Sequence, residues 1–377
     1  MKIGIVCYPT YGGSGIVATE LGMDLAERGH EVHFIATSLP ARLDITLSNI
    51  YFHKVNVETY PLFEEYQPYS LALSTIIVNI AQSHGLDLLH VHYAIPHAYA
   101  AYFAKQMLRE KGIELPIVTT LHGTDITLVG NHPVYKPAVE FSINHSDKVT
   151  AVSESLKNET YELFSINKEI DVIPNFIDNE QYEVEEDCGC RSQLANRKEK
   201  VIIHVSNLRK VKRVKDVVKV FYEIQKEIPS KLIIVGEGPE WEKADRLIDE
   251  LGISDKVKAL GKVNDLYNVL CSSDLFLLPS EKESFGLAAL EAMAARVPVI
   301  SSNAGGIPEV NADGETGFVL PIGDVNGMAQ KAIALLKDEN QLESFKLNAK
   351  KQAIKFDKKN ILPMYEELYL SVLEKVK

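Results

Sequence analysis

The chain has 377 residues, a formal charge of −12, 46% apolar residues and 24% charged residues. That length allows two domains, and the acidic balance argues against nucleic acid as a partner, although local basic sites stay open. No run of about 18 apolar residues marks a membrane span and no basic stretch leads into an apolar one as in a signal peptide, so the expectation is no membrane contact and a cytoplasmic location.

"KIGIVCY" reads as a strand from the second residue, and "YGGSG", Tyr11 to Gly15, as the turn after it. "IVATELGMDLAERG" then carries apolar residues at helical spacing and stops at Gly29. "EVHFIAT", "LDLLHVHY", "PIVTTLHG" and "KVTAVS" read as further strands. Strands alternating with helices predict a parallel α/β sheet covered on both faces. Near Pro174 the pattern turns polar, acidic and then basic, which predicts a linker over 176–199 between a first domain at 1–175 and a second at 200–355. In the second, "KVIIHVSN", "SKLIIVGEGPE", "KVKALG", "DLFLLPS" and "VPVISS" restart the alternation. The tail, 356–377, predicts an amphipathic helix that packs back on the first domain. Ten of the eleven histidines precede Gln181, so similar architectures are expected to carry different chemistry. Of the four cysteines, Cys7 and Cys271 read as core residues; Cys188 and Cys190 could form a redox pair or half a metal site, and read first as two thiols of a polar surface loop, with no secreted disulfide framework.

Several strand ends hold residues suited to a ligand. Gly12, Gly13 and Gly15 permit positive φ and close approach, and the following helix start suits an anion; a tight turn with no ligand would use the same glycines. Strict G-x-G-x-x-G is broken at Ala18, which disfavours a nicotinamide dehydrogenase. "LHGTD" places His122 at a strand end, free to donate a hydrogen bond or serve as acid or base. His90 and His92 point to one side of a strand, and without a third ligand in view they read as packing or substrate contacts, with no metal. "SNLRKVKRVKD" is a charge run in which Lys210, Arg213 and Lys215 read as a solvated face. Arg209 and Lys212, three apart and so on one face if helical, read as pyrophosphate ligands. In "EKESFGLAALE", Glu283 falls in a loop and Glu291 inside a helix, with the amides around Phe285, Gly286 and Leu287 at the helix start between them. A phosphate flanked by two sugars would satisfy all three features.

Together, "YGGSG", "LHGTD", "VSNLRKVKRV", "VGEGPE", "SEKESFGLAALEAMA", "VPVISSNAGGIPEV" and "GETGFVL" make the chain resemble the family-4 retaining glycosyltransferases over nearly its whole length. The resemblance implies the GT-B fold, two facing Rossmann-like domains with an interdomain cleft. It implies that Glu291 holds the nucleotide ribose and Glu283 the donor-sugar hydroxyls. Arg209, Lys212 and the amides near Phe285, Gly286 and Leu287 would hold the diphosphate, with Gly13 letting the first domain close on it. His122 would contact the sugar at the reacting centre, and Ser14 and Tyr93 the acceptor. Where many relatives carry an arginine after the first strand of the second domain, this chain has Asn207. "CYPTYGGSGIVATELG", "HVHYAIPHA", "TTLHGTDITLVG" and "VSNLRKVKRVKDV" together narrow the resemblance to members that move N-acetylglucosamine from UDP-GlcNAc to L-malate in bacillithiol biosynthesis. UDP-GlcNAc is then a co-substrate, with no cofactor and no metal; the oligomeric state is open. The rival readings are a transferase with another acceptor, a UDP-sugar epimerase and a non-catalytic nucleotide-sugar sensor.

Overall fold

Strand and helix alternate into two parallel sheets. The computed structural model describes residues 1–57, 68–183, 189–263 and 265–375, and the chain divides into two units. The first is Met1–Asn175 with the tail from Lys359, and the second is Phe176–Lys358.

In the first unit, β1 (Lys2–Val6), β2 (Glu31–Ala36), β3 (Ile50–Lys54), β4 (Leu88–His92), β5 (Ile117–Leu121), β6 (Lys148–Ala151) and β7 (Ile170–Val172) form a sheet of order β3-β2-β1-β4-β5-β6-β7. Every described pairing in it is parallel. β4 and β5 are buried along their whole length, as strands covered on both faces must be. The tail helix Lys358–Glu374 buries Tyr365 and Tyr369. The Tyr369 hydroxyl lies 2.7 Å from Nδ1 of His90, whose Nε2 lies 2.7 Å from the Thr120 hydroxyl. His90 is therefore a packing residue that ties the tail to β4 and β5.

The second unit holds β8 (Lys200–Val205), β9 (Ser230–Val235), β10 (Val257–Gly261), β11 (Leu275–Leu278), β12 (Val299–Ser302) and β13 (Gly317–Leu320), in the order β10-β9-β8-β11-β12-β13. Its core gathers Val217, Phe221 and Ile224 from the helix Val214–Glu227 with Leu232, Ile234 and Leu277 from the sheet. Burying a side chain such as Phe221 is worth about 1.5–3 kcal/mol.

Each sheet reverses its direction of growth once, between β1 and β4 and between β8 and β11. At such switch points the connections leave on opposite faces, and the crevice beyond the strands' carboxyl ends is open to ligand.

Three expectations change. Residues 176–199 are built into the second unit: Ile177 pairs with Asp357, and Arg191 forms a 2.8 Å ion pair with Asp274. Cys271 is half-buried and disulfide-bonded, whereas Cys7 and Cys190 are free; Cys188 lies outside the described residues. The strands β3, β7 and β13, unread in the sequence, all lie at sheet edges.

Candidate active site

The turn after β1 enters the helix Gly13–Glu27 without the positive φ that its glycines permit: Gly12 sits at φ −75° and Gly13 and Gly15 are helical. Gly15 is needed for another reason, because a Cβ there would lie 2.4 Å from the Thr10 carbonyl oxygen and 2.7 Å from that of Tyr8. The turn is thus folded tightly under the helix start, leaving Gly13 exposed and Ser14 half-buried. The Ser14 hydroxyl reaches the Tyr93 hydroxyl at 2.6 Å. Tyr93 follows β4 at φ 89°, a conformation that costs a non-glycine residue about 1–3 kcal/mol and persists only when its surroundings impose it. They do: its amide donates to the Thr120 carbonyl at 2.9 Å, and its ring packs 5.2 Å from both Tyr8 and His122.

His122, just past β5, is buried and shares a 2.8 Å hydrogen bond from Nε2 to Nδ1 of His92. His97 donates from Nδ1 to the His92 carbonyl at 2.5 Å, so its Nε2 accepts from the Tyr69 hydroxyl at 3.2 Å. Burial pushes His97 down to about 4 against its bond to the His92 carbonyl; burial, with neighbouring imidazoles adding to it, pushes His122 to about 3 and drives His92 well below the ordinary histidine value. The cluster is neutral at pH 7. His122 acts through hydrogen bonds, not charge. His92 keeps packing against His122, and its Nε2 has no hydrogen-bond partner among the described residues.

Asp125 was not singled out in the sequence, yet it holds the cluster together. Its carboxylate accepts from the amides of Ala94 at 2.8 Å, Gly123 at 3.0 Å and His122 at 3.3 Å, stapling the loop after β4 to the loop after β5. Burial raises it to about 6, and these amides oppose the rise. The signal available in the sequence was the aspartate three residues after His122 in "LHGTD", a spacing suited to accepting local amides.

At the second switch point the chemistry is ionic. Lys212 lies in a short 3-10 turn, Lys210–Lys212, after β8, and its ammonium sits 2.5 Å from the Glu283 carboxylate. Both side chains are less than one-fifth exposed. Two backbone ties fix the loops that carry them: the Glu281 amide donates to the Val211 carbonyl at 2.7 Å, and the Gly306 amide to the Glu283 carbonyl at 3.0 Å. Gly286, at φ 99°, caps the helix Leu287–Ala294, in which Glu291 is buried. The Phe285 side chain is buried 5.5 Å from the Phe356 ring, so only its backbone faces a ligand role. Arg209 is exposed and extended ahead of the turn, so it shares no helical face with Lys212. Arg213 is not a solvated residue either: half-buried and left-handed, it donates to Asp216 at 2.6 Å. His204, buried and held at about 4, bridges the Leu277 carbonyl and the Ser206 hydroxyl, both at 2.8 Å, and acts as structure. Gly236 and Gly238 of "VGEGPE" line a surface depression with Trp241 and Gly261.

Each unit therefore gathers its expected site residues. Ser14, Tyr93 and His122 meet in the first; Lys212, Glu283, Gly286, Leu287 and Glu291 lie on two adjoining loops and one helix in the second, with Arg209 alongside. Residues 11–181 match the family described as Glycosyltransferase Family 4, and residues 190–352 match Glycosyl transferases group 1. The chain is 50% identical over 375 residues to the N-acetyl-alpha-D-glucosaminyl L-malate synthase of Bacillus anthracis, covering 99% of this chain and 97% of that one. It is 25% identical to the 2-deoxystreptamine N-acetyl-D-glucosaminyltransferase of Niallia circulans, over 96% and 98% of the two chains. Among solved structures, the Anabaena protein Alr3699/HepE in complex with UDP-glucose superposes with a TM-score of 0.83 at 22% identity, covering 98% of this chain and all of that one. Sucrose-phosphate synthase from Thermosynechococcus elongatus also gives 0.83, at 19% identity with both chains fully covered.

Proposed function

The chain belongs to the family-4 glycosyltransferases and has their GT-B fold, and from that premise we propose that it moves N-acetylglucosamine from UDP-GlcNAc to the hydroxyl of L-malate. The anomeric configuration is retained, and the product enters bacillithiol biosynthesis. The observation that carries this reading is the 50% identity, over nearly both full lengths, to a relative named for that reaction.

The residues fit the chemical task. As the bond to UDP breaks, negative charge grows on the diphosphate and positive charge on the sugar ring. Groups fixed in place before the reaction stabilise such charge most effectively. Lys212, Arg209 and the amides from Phe285 to Leu287 meet the diphosphate. Its oxygens compete with Glu283 for the Lys212 ammonium, and Glu283 then accepts from the sugar hydroxyls. Glu291 accepts from the ribose. His122, neutral, contacts the sugar without repelling its growing positive charge. The leaving phosphate takes the proton of the attacking hydroxyl on the same face. The cations and amides of the chain supply the positive charge, so turnover needs no metal. Malate is a dianion, and the helix start at Gly13 and Ser14 with the Ser14–Tyr93 hydroxyl pair suits a carboxylate.

The test is UDP release from UDP-GlcNAc across a panel of hydroxy acids, with proton NMR of the product. Malate is expected to exceed lactate about tenfold to a hundredfold, the worth of one charge-assisted contact, and the product to be the α-anomer. Equal use of lactate, or a β-anomer, overturns the acceptor or the stereochemical assignment.

A further inference from the structure

Three histidines outside the reaction site converge on the β2–β3 edge of the first sheet. Parallel register sets His33 beside Tyr51 and Ile35 beside His53, so His33 and His53 share one face. His84 comes to the same place from the helical turn Ala81–Gly85. One ring nitrogen from each lies within 4.8 Å of the others, and among the described residues this is the one such group of three potential metal ligands found. His33 is buried, and His53 and His84 are half-buried.

We propose that His33, His53 and His84 form a three-imidazole site for a divalent transition metal of the zinc class. His33 Nδ1 and His53 Nε2 already face each other at 2.8 Å. Zn–N bonds of 2.0–2.1 Å in a tetrahedral site put ligand nitrogens about 3.3 Å apart. The required adjustment is small: the His33 and His53 nitrogens part by about 0.5 Å and the His84 nitrogen closes in, movements that fall to His53 and His84, the two half-buried rings. The other nitrogen of His33 is 3.0 Å from the Glu31 carboxylate. In metal sites that hydrogen bond sets the tautomer and raises the basicity of the ligating nitrogen. With His33 protonated at Nε2, its Nδ1 lone pair faces His53. His53 moves its proton from Nε2 to Nδ1, and the cation takes the place of that proton between the rings. Lys2 also faces the cluster, 3.5 Å from Glu31 and donating to the His84 carbonyl; Glu31 offsets its charge. Burial lowers His33 and His53, the latter to about 4, so both rings are free bases at pH 7. Imidazole nitrogens suit zinc, copper and nickel better than magnesium or calcium. β3 lies two strands from β1, so this site is separate from the residues assigned to the reaction.

The full chain, stripped with chelator and dialysed, is titrated with Zn2+ by calorimetry at pH 7.5. One ion per chain is expected. His53→Ala and His84→Ala should each raise Kd at least tenfold, and Glu31→Gln about tenfold through its hold on His33. Co2+ in place of Zn2+ should give visible d–d bands that disappear in His84→Ala, and Cys190→Ser should bind as the unaltered chain does. Absence of binding at 100 µM Zn2+, a Kd in both histidine variants unchanged from that of the unaltered chain, or loss of binding in Cys190→Ser overturns the site. Circular dichroism confirms that the variants are folded, and Glu31→Gln, which keeps all three ligands, reads the same site if a histidine variant does not fold.

Discussion

The two switch points have the same topology and opposite electrostatics. At the carboxyl ends of β1, β4 and β5, the first unit collects neutral imidazoles and hydroxyls around one buried carboxylate, Asp125. At the ends of β8 and β11, the second collects an ion pair, Lys212–Glu283, and a helix start capped by Gly286. A charged diphosphate needs cations and amides; the hydroxyls of a sugar are better met by neutral groups that a dry pocket can hold without a large desolvation cost. The same fold therefore carries an ionic cluster in one unit and a neutral cluster in the other.

The largest expected effect tests this difference through pH. His90, His92, His97 and His122 are buried in the first unit and held below the usual histidine value, three of them to about 3 or 4. In the unfolded chain each takes up a proton near pH 6.5. Between 6.5 and about 4 the unfolded state thus binds more protons, and stability falls as pH drops through 6.5. From pH 7.5 to 5.5 each histidine costs about 1.4 kcal/mol. Asp125, raised to about 6, gains its proton in the folded state first and returns about 1 kcal/mol over that range. The net loss from these five groups of the first unit is about 5 kcal/mol, against about 1 kcal/mol for His204 in the second. Hydrogen exchange read peptide by peptide should show the first unit opening first in acid, while fluorescence of the lone Trp241, packed on the second unit's core, stays native-like. Simultaneous loss of both signals would show that the neutral cluster is not the weak point.

Removing the ionic cluster's cation comes next. Lys212→Ala should lower kcat by about a hundredfold to a thousandfold, near 3–4 kcal/mol, the scale of losing one fixed group at a developing charge. Steady-state UDP release checks it, and a change of under fivefold would move the diphosphate elsewhere. Glu291→Ala should weaken UDP by about 1.5–3 kcal/mol, one charge-assisted bond to ribose; calorimetry giving unchanged affinity removes that role. In the neutral cluster, Ser14→Ala should raise the malate KM about tenfold, near 1.4 kcal/mol, and leave UDP affinity alone. If it affects UDP only, Ser14 belongs to the donor. The smallest effect expected is none: turnover should survive EDTA, and activity lost to chelator and restored by magnesium or manganese would place a metal at the diphosphate.

Much of the frame was readable in the order of residues. Interior strands such as "LLHVH" and "IVTTL" announce themselves because both faces are buried and every position is constrained. β3, β7 and β13 do not: each is an edge strand with one neighbour and partial burial, so its residues carry a weaker pattern, and of the four edges only β10 was readable, in "KVKALG". The glycines of "YGGSG" marked the right turn for a different reason from the one expected: Gly15 is demanded by the carbonyls of Tyr8 and Thr10, a contact that no local φ preference encodes.

The sequence by itself determined the alternation of strand and helix, the two α/β halves, the strand-end loops that carry His122, Lys212 and Glu283 and the helices that carry Ser14 and Glu291, because periodicity and turn chemistry are local properties. Only the tertiary structure decided which of these meet. Ser14 and Tyr93 are 79 residues apart, Lys212 and Glu283 are 71 apart, and His33 and His53, 20 apart, come to His84 from a different element. The physical reason is that a parallel sheet brings strand ends together through crossovers of variable length, so proximity depends on strand order and not on separation along the chain. Burial depends on the same packing, and burial is what keeps the histidines neutral and raises Asp125.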